Sequence, residues 1–156
     1  MQPRRWVAPL ALLSALLTLF PAANPAANGS PTLDYARGRA LFRGDIELSG
    51  RIRSHLEDLP SAVIRCSNCH AVGTEPDVPR SLAPRLTHDL LLAPRARRGG
   101  PASIYDRAAF CTLLQQGIDP AHVVVSVEMP LYVLSDKDCH ALWRYITGGT
   151  HAATAP

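Results

Sequence analysis

Cys66-Ser67-Asn68-Cys69-His70 sets two thiols three residues apart and an imidazole directly after the second. Two cysteines on one turn can each add to a haem vinyl group, and the next residue then lies beneath the iron with its imidazole as proximal ligand. A shuffled chain with the same four cysteines and six histidines would contain this pentad only about 0.003 times. Two other chemistries use such a cysteine pair. A zinc half-site wants a second pair of ligands at similar spacing, whereas Cys111 and Cys139 stand apart from each other and from any partner of that kind. A redox dithiol wants a strand before it and a βαβ context after it, and the flanks here read as helical and proline-rich. The pentad therefore reads as the site of one haem c, held covalently by two thioethers, with its iron on His70.

The residue on the other face of such an iron decides between electron transfer and gas or peroxide chemistry. Apart from Met1 the chain has one methionine, Met129, in Val127-Glu128-Met129-Pro130-Leu131-Tyr132. It follows His70 by 59 residues, enough chain to wrap around a haem edge and return on its other side. Pro130 restricts Met129 to an extended conformation, which presents the thioether instead of burying it in a helix. Met129 is the expected sixth ligand, with filling of a core gap as the commoner role of a methionine. His55, His88, His122 and His140 are the rival ligands, His122 foremost because it shares the loop.

The segments around these residues set where the chain works. Arg4 and Arg5 precede fourteen mostly apolar residues from Val7 to Phe20, followed by small residues through Ala22, Ala23, Ala26 and Ala27. That is the pattern of a signal peptide over 1–23, cleaved between about 22 and 27. An uncleaved anchor holding the protein at the membrane is the alternative, but it wants nearer ~20 apolar residues and Pro9 interrupts this stretch. The expected location is the periplasm, with no stable membrane span after cleavage. Beyond residue 23 the chain carries 14 basic against 13 acidic side chains, which excludes nucleic-acid binding by bulk charge.

Fourteen prolines and ten glycines predict short helices joined by ordered loops. Gly38 and Phe42, in Tyr35-Ala36-Arg37-Gly38-Arg39-Ala40-Leu41-Phe42, share one helix face, and Leu142 and Tyr145 share another. A glycine there lets a second backbone approach, so the first and last helices are expected to cross with aromatic rings beside the crossing. Ser103 to Asp106 and Ser135 to Asp138 resemble capping boxes for the two later helices, with Asp in place of Glu or Gln. Gly117 and Gly148 stand where those helices should stop.

Three motifs in order, Gly38 to Phe42, the pentad, and Met129-Pro130 with Tyr132 before the helix ending Ala141-Leu142-Trp143-Arg144-Tyr145-Ile146, make the chain resemble the class I monohaem c-type cytochromes. The likeness runs from about Asp34 to Gly148. It implies an all-α cytochrome c fold, four or five short helices wrapped around one covalently bound haem, with His70 and Met129 as axial ligands. It also implies a proline carbonyl that orients the histidine ligand. Pro84 resembles that element, with Pro76 and Pro79 as alternatives. The expected division is a flexible segment over 24–33, a cytochrome domain over 34–149 and a disordered tail over 150–156.

Two features depart from the family's minimal pattern. Between Phe42 and Cys66 lie 23 residues, longer than the family's usual link; the stretch from Gly44 to Pro60, with Arg51, Arg53, His55, Glu57 and Asp58, reads as a surface loop or a docking element. Cys111 and Cys139 are the second departure. Once haem has taken Cys66 and Cys69, two thiols remain in an exported protein, which favours a disulfide over two buried reduced cysteines. A basic run, Arg95-Ala96-Arg97-Arg98, reads as a solvated loop, as a steering patch for an acidic partner, or as partners for haem propionates.

The expected function is transfer of single electrons between a periplasmic redox donor and an acceptor, by a non-enzymatic carrier that is a monomer or a loosely associated subunit. The alternatives are a haem c enzyme or ligand sensor with a labile sixth ligand, and a dedicated haem subunit of a periplasmic dehydrogenase.

Overall fold

The computed structural model describes residues 31–74, 76 and 83–148. The signal sequence, its cleavage region, Pro79 and the tail from 149 lie outside them. Among the described residues there are four α-helices and two small antiparallel sheets: α1 (Pro31–Arg43), β1 (Ser49–Arg51), a 3-10 turn (Cys66–Asn68), α2 (His88–Leu92), β2 (Arg95–Ala96), β3 (Ala102–Ser103), α3 (Arg107–Gln116), β4 (Leu131–Val133) and α4 (Asp136–Gly148). Among the described residues no helix is long and apolar enough to cross a membrane.

This corrects the all-α expectation, because the architecture is mixed, with helices and two two-stranded sheets. The physical reason lies in the long link before the pentad. Ile46, Leu48, Gly50 and Ile52 alternate with polar residues, the period of a half-buried strand. Pro130 starts a second extended stretch, Leu131–Val133, whose backbone groups need partners. The two pair antiparallel with Ser49 opposite Val133, Gly50 opposite Tyr132 and Arg51 opposite Leu131. A Cβ on Gly50 would lie 2.7 Å from the Leu131 carbonyl oxygen, so the close pairing requires glycine there. The link is therefore neither a bare surface loop nor a detached excursion.

The first and last helices cross where Gly38 has no side chain. A Cβ on Gly38 would stand 2.0 Å from the Ala141 carbonyl oxygen, and the Tyr145 ring packs against both Tyr35 and Phe42 with centroids 5.2 and 5.4 Å apart. Phe42, Leu41, Ile64, Leu142 and Cys139 are the largest fully buried side chains of the core. Ser135 caps α4 as expected, its hydroxyl oxygen accepting from Asp138 N at 3.1 Å. At α3 the cap is Asp106, which accepts from Ala109 N at 2.7 Å, while Ser103 belongs to β3. Gly117 ends α3 in the left-handed conformation at φ 69°. α1 starts at Pro31, inside the segment expected to be flexible.

Candidate haem-attachment site

The pentad folds as a tight turn held by its own backbone. Cys69 N and His70 N both donate to Cys66 O, at 3.1 and 2.9 Å, and Asn68 N donates to Arg65 O at 3.0 Å. The Asn68 amide donates to Ala62 O and Val63 O, both at 2.9 Å, which fastens the turn to the end of the preceding link. Both cysteines thus belong to one turn of chain, as attachment of a single haem requires. Neither sulfur is in a disulfide. Burial pushes the Cys66 thiol up to about 11, against a smaller lowering from Tyr132, whose hydroxyl lies within hydrogen-bonding reach.

His70 is buried, and its Nδ1 lies 2.8 Å from Pro84 O. The chain delivers that carbonyl by laying residues 84–86 beside 71–73. Leu86 N donates to Ala71 O at 2.8 Å, Gly73 N to Leu86 O at 3.0 Å, and the Arg85 guanidinium to Gly73 O at 3.0 Å. With Nδ1 donating to Pro84 O, the neutral ring keeps its lone pair on Nε2, the atom that can bind a metal. Burial holds the imidazole below its usual range, with a smaller opposing effect of the Pro84 bond, and so favours the neutral, ligating form. Among the described residues Pro84 is the proline at this nitrogen, and Pro76 makes no such contact; Pro79 lies outside the described residues.

Met129 is partly buried against the core, and its backbone N donates to Ser126 O at 3.1 Å in a turn. The loop before it is shaped by Asp119, whose Oδ1 accepts from Ala121 N at 2.9 Å and Val123 N at 2.8 Å. Two contacts bind the methionine segment to the rest of the site. Tyr132 OH donates to Ile64 O at 2.8 Å, joining a residue three after Met129 to one two before Cys66. The Arg53 guanidinium donates to Gly117 O at 3.1 Å, at the head of the same loop. Among the rival histidines, His55 and His122 are exposed, His122 on the same loop as Met129, while His88 faces Asp89 at 3.4 Å and His140 faces Asp34 at 3.6 Å.

Cys111 and Cys139 form a disulfide with Cα atoms 5.8 Å apart, joining α3 to α4 on either side of the methionine loop. In the basic run Arg97 is committed locally. Its guanidinium donates to Leu90 O at 2.6 Å, to Arg95 O and to Ser103, and lies over the Tyr105 ring with Cζ 4.9 Å from the centroid. Arg95 and Arg98 are exposed. Arg97 is thus held by its own neighbours, while Arg95 and Arg98 reach solvent.

The chain matches no protein-family model, no curated protein and no solved structure.

The residues present fit a haem on three observations. The donor set suits it: Cys66 and Cys69 share one turn, and His70 Nδ1 lies 2.8 Å from Pro84 O, which leaves Nε2 for an iron. Val63 beside the pentad and Val124 and Val127 on the methionine loop are 57, 53 and 49% exposed, apolar surface of the kind a porphyrin face covers. Arg53 Nε is buried with no hydrogen-bond partner among the described residues, a charged donor that a carboxylate-bearing cofactor would suit. Sequence reasoning missed Arg53, Asn68 and the pairing of β1 with β4. The alternation from Ile46 to Ile52 was the available signal for the strand.

Proposed function

We propose that the chain is an exported c-type cytochrome that carries single electrons between redox proteins. One haem c is held through Cys66 and Cys69, with His70 and Met129 on its iron. The single observation that carries this reading is the 2.8 Å contact between His70 Nδ1 and Pro84 O, beside two cysteines of a pentad that are not bonded to each other. A histidine fixed by a backbone carbonyl has its tautomer and ring plane set before any metal arrives, and the bond raises its basicity.

Bound haem supplies a one-electron couple at its iron. His70, oriented by the Pro84 carbonyl, and Met129 would hold that iron, and a soft thioether there would favour the reduced state and raise the potential. Tyr132 ties the segment that follows Met129 to the chain before the pentad, through Ile64 O. With His70 and Met129 both holding the iron, the remaining activity would be exchange of electrons by brief contact with a donor and an acceptor. The Cys111–Cys139 disulfide supports an oxidising compartment, in keeping with the signal pattern of residues 1–23.

The test is expression of the full chain in a bacterial host that carries the haem-attachment machinery, followed by absorption spectroscopy. The expected protein is red, and its oxidised form shows the weak long-wavelength band of an iron to thioether bond, which Met129→Ala abolishes. A red protein in which Met129→Ala leaves spectrum and potential unaltered would overturn the ligand assignment.

A further inference from the structure

The link between α1 and the pentad reaches both sides of the turn that carries Met129. On the downstream side, β1 pairs with β4, so that Arg51 lies opposite Leu131, two residues after Met129. On the upstream side, Arg53, two residues after Arg51, donates to Gly117 O at 3.1 Å. The same carbonyl accepts from Val125 N at 2.9 Å, and that second bond closes the loop from Gly117 to Val125 at its base. A Cβ on Gly117 would stand 1.9 Å from Arg53 Nη2 and 3.0 Å from Leu131 Cδ2, so the guanidinium, the end of α3 and the residue after Met129-Pro130 meet at one point. At the far end of the link, Leu59 N donates to Gly50 O at 2.8 Å, and Ile64 O takes the Tyr132 hydroxyl.

We propose that residues 49–64 act as a clasp that sets the position of Met129 and resists its release from iron, with Arg53 as the positioning residue. This rests on the reading of Met129 as the sixth ligand. Arg53 suits the task because its positive charge sits at the C-terminal end of α3, where the unpaired carbonyls carry partial negative charge. Its rigid fork holds one carbonyl in place, and that carbonyl in turn fixes Val125, four residues before Met129. Without the fork, the loop from Gly117 to Met129 keeps its backbone bonds but loses its tie to the strand beyond Met129. The detached state of the ligand then becomes easier to reach, and any external ligand competing for the iron gains affinity by the same factor.

The experiment measures imidazole binding to the oxidised, haem-loaded full chain for Arg53→Gln, Arg53→Lys and Arg37→Gln. Arg37→Gln serves as control because it breaks the Arg37 to Asp138 ion pair between α1 and α4, lowering stability away from the clasp. Loss of a hydrogen bond from a charged donor corresponds to at least about a tenfold change in equilibrium. Arg53→Gln should therefore bind imidazole about tenfold more tightly, with Arg53→Lys between it and the parent and Arg37→Gln at the parent value. An Arg53→Gln affinity equal to the parent's, or an Arg37→Gln affinity that rises equally, overturns the clasp. Should Arg53→Gln fail to accumulate, Tyr132→Phe carries the comparison: tighter imidazole binding supports the clasp, and parent affinity overturns it. A parent chain that is colourless, or red without the thioether band, removes the haem or ligand reading and the clasp with it. A parent with the band and variants that do not differ from it removes the clasp alone.

Discussion

Tyr132 donates its phenolic hydrogen to the carbonyl oxygen of Ile64 at 2.8 Å, and both residues are buried. The two lie 68 residues apart in the chain, yet one follows Met129 by three and the other precedes Cys66 by two. A single hydrogen bond thereby joins the two segments that would hold opposite faces of a haem. Burial and the neighbouring Cys66 push the Tyr132 hydroxyl well above its usual range, so it remains a donor at any working pH.

Tyr132→Phe should leave the ring packing intact and strand a buried carbonyl. The expected loss is about 1–2 kcal/mol of unfolding free energy, read from urea titration as a lower midpoint with unchanged slope. A midpoint equal to that of the parent would mean that Ile64 O finds water instead.

Gly38→Val should be far more damaging. Its Cβ would meet the Ala141 carbonyl oxygen at 2.0 Å and Tyr145 Cβ at 2.7 Å, forcing α1 and α4 apart. A cost of about 3 kcal/mol or more is expected, seen as failure to accumulate or as a large drop in melting temperature. Wild-type stability would show that the crossing tolerates separation.

Replacing Cys111 and Cys139 together with serine should lower stability by about 3–4 kcal/mol, the scale expected for a loop of this length, and should loosen the anchorage between α3 and α4. Alkylation of the haem-loaded parent without reductant offers a separate check: no cysteine should react. Labelling at Cys111 or Cys139 would contradict the bridge.

For chain that carries no haem, the buried His70 predicts a pH dependence. Burial lowers its affinity for protons in the folded state, so the unfolded chain binds more protons once pH falls below the ordinary histidine value of about 6.5. Stability should be fully present above that value and fall as pH drops below it, and His70→Gln should flatten the slope. Urea midpoints between pH 7.5 and about 5 measure it. Equal slopes in parent and variant would place the titration elsewhere.

Much of this arrangement was legible in local sequence. Gly38 with Phe42 and Leu142 with Tyr145 announced a helix crossing, because spacing of three or four residues defines a helical face. Gly117 announced the end of α3, since a left-handed residue there favours glycine. Ser103 misled because the acidic cap, Asp106, lies within the same four residues and wins by accepting from Ala109 N. The pairing of β1 with β4 was not legible. Its alternation spans few residues, the charged run from Arg51 to Asp58 looks solvated, and its partner strand lies some 80 residues away. Strand pairing over that distance is set by tertiary packing, which leaves little trace in either segment alone. Arg53 was hidden for the same reason: a guanidinium bound to a distant helix end reads like any surface charge.

The most direct measurement is intact mass under denaturing conditions, on the chain purified from a host that attaches haem. The predicted mass exceeds the polypeptide by one haem, and the excess disappears when Cys66 and Cys69 are both replaced by alanine. A mass equal to the bare polypeptide, with no haem carried through denaturation, would contradict the account.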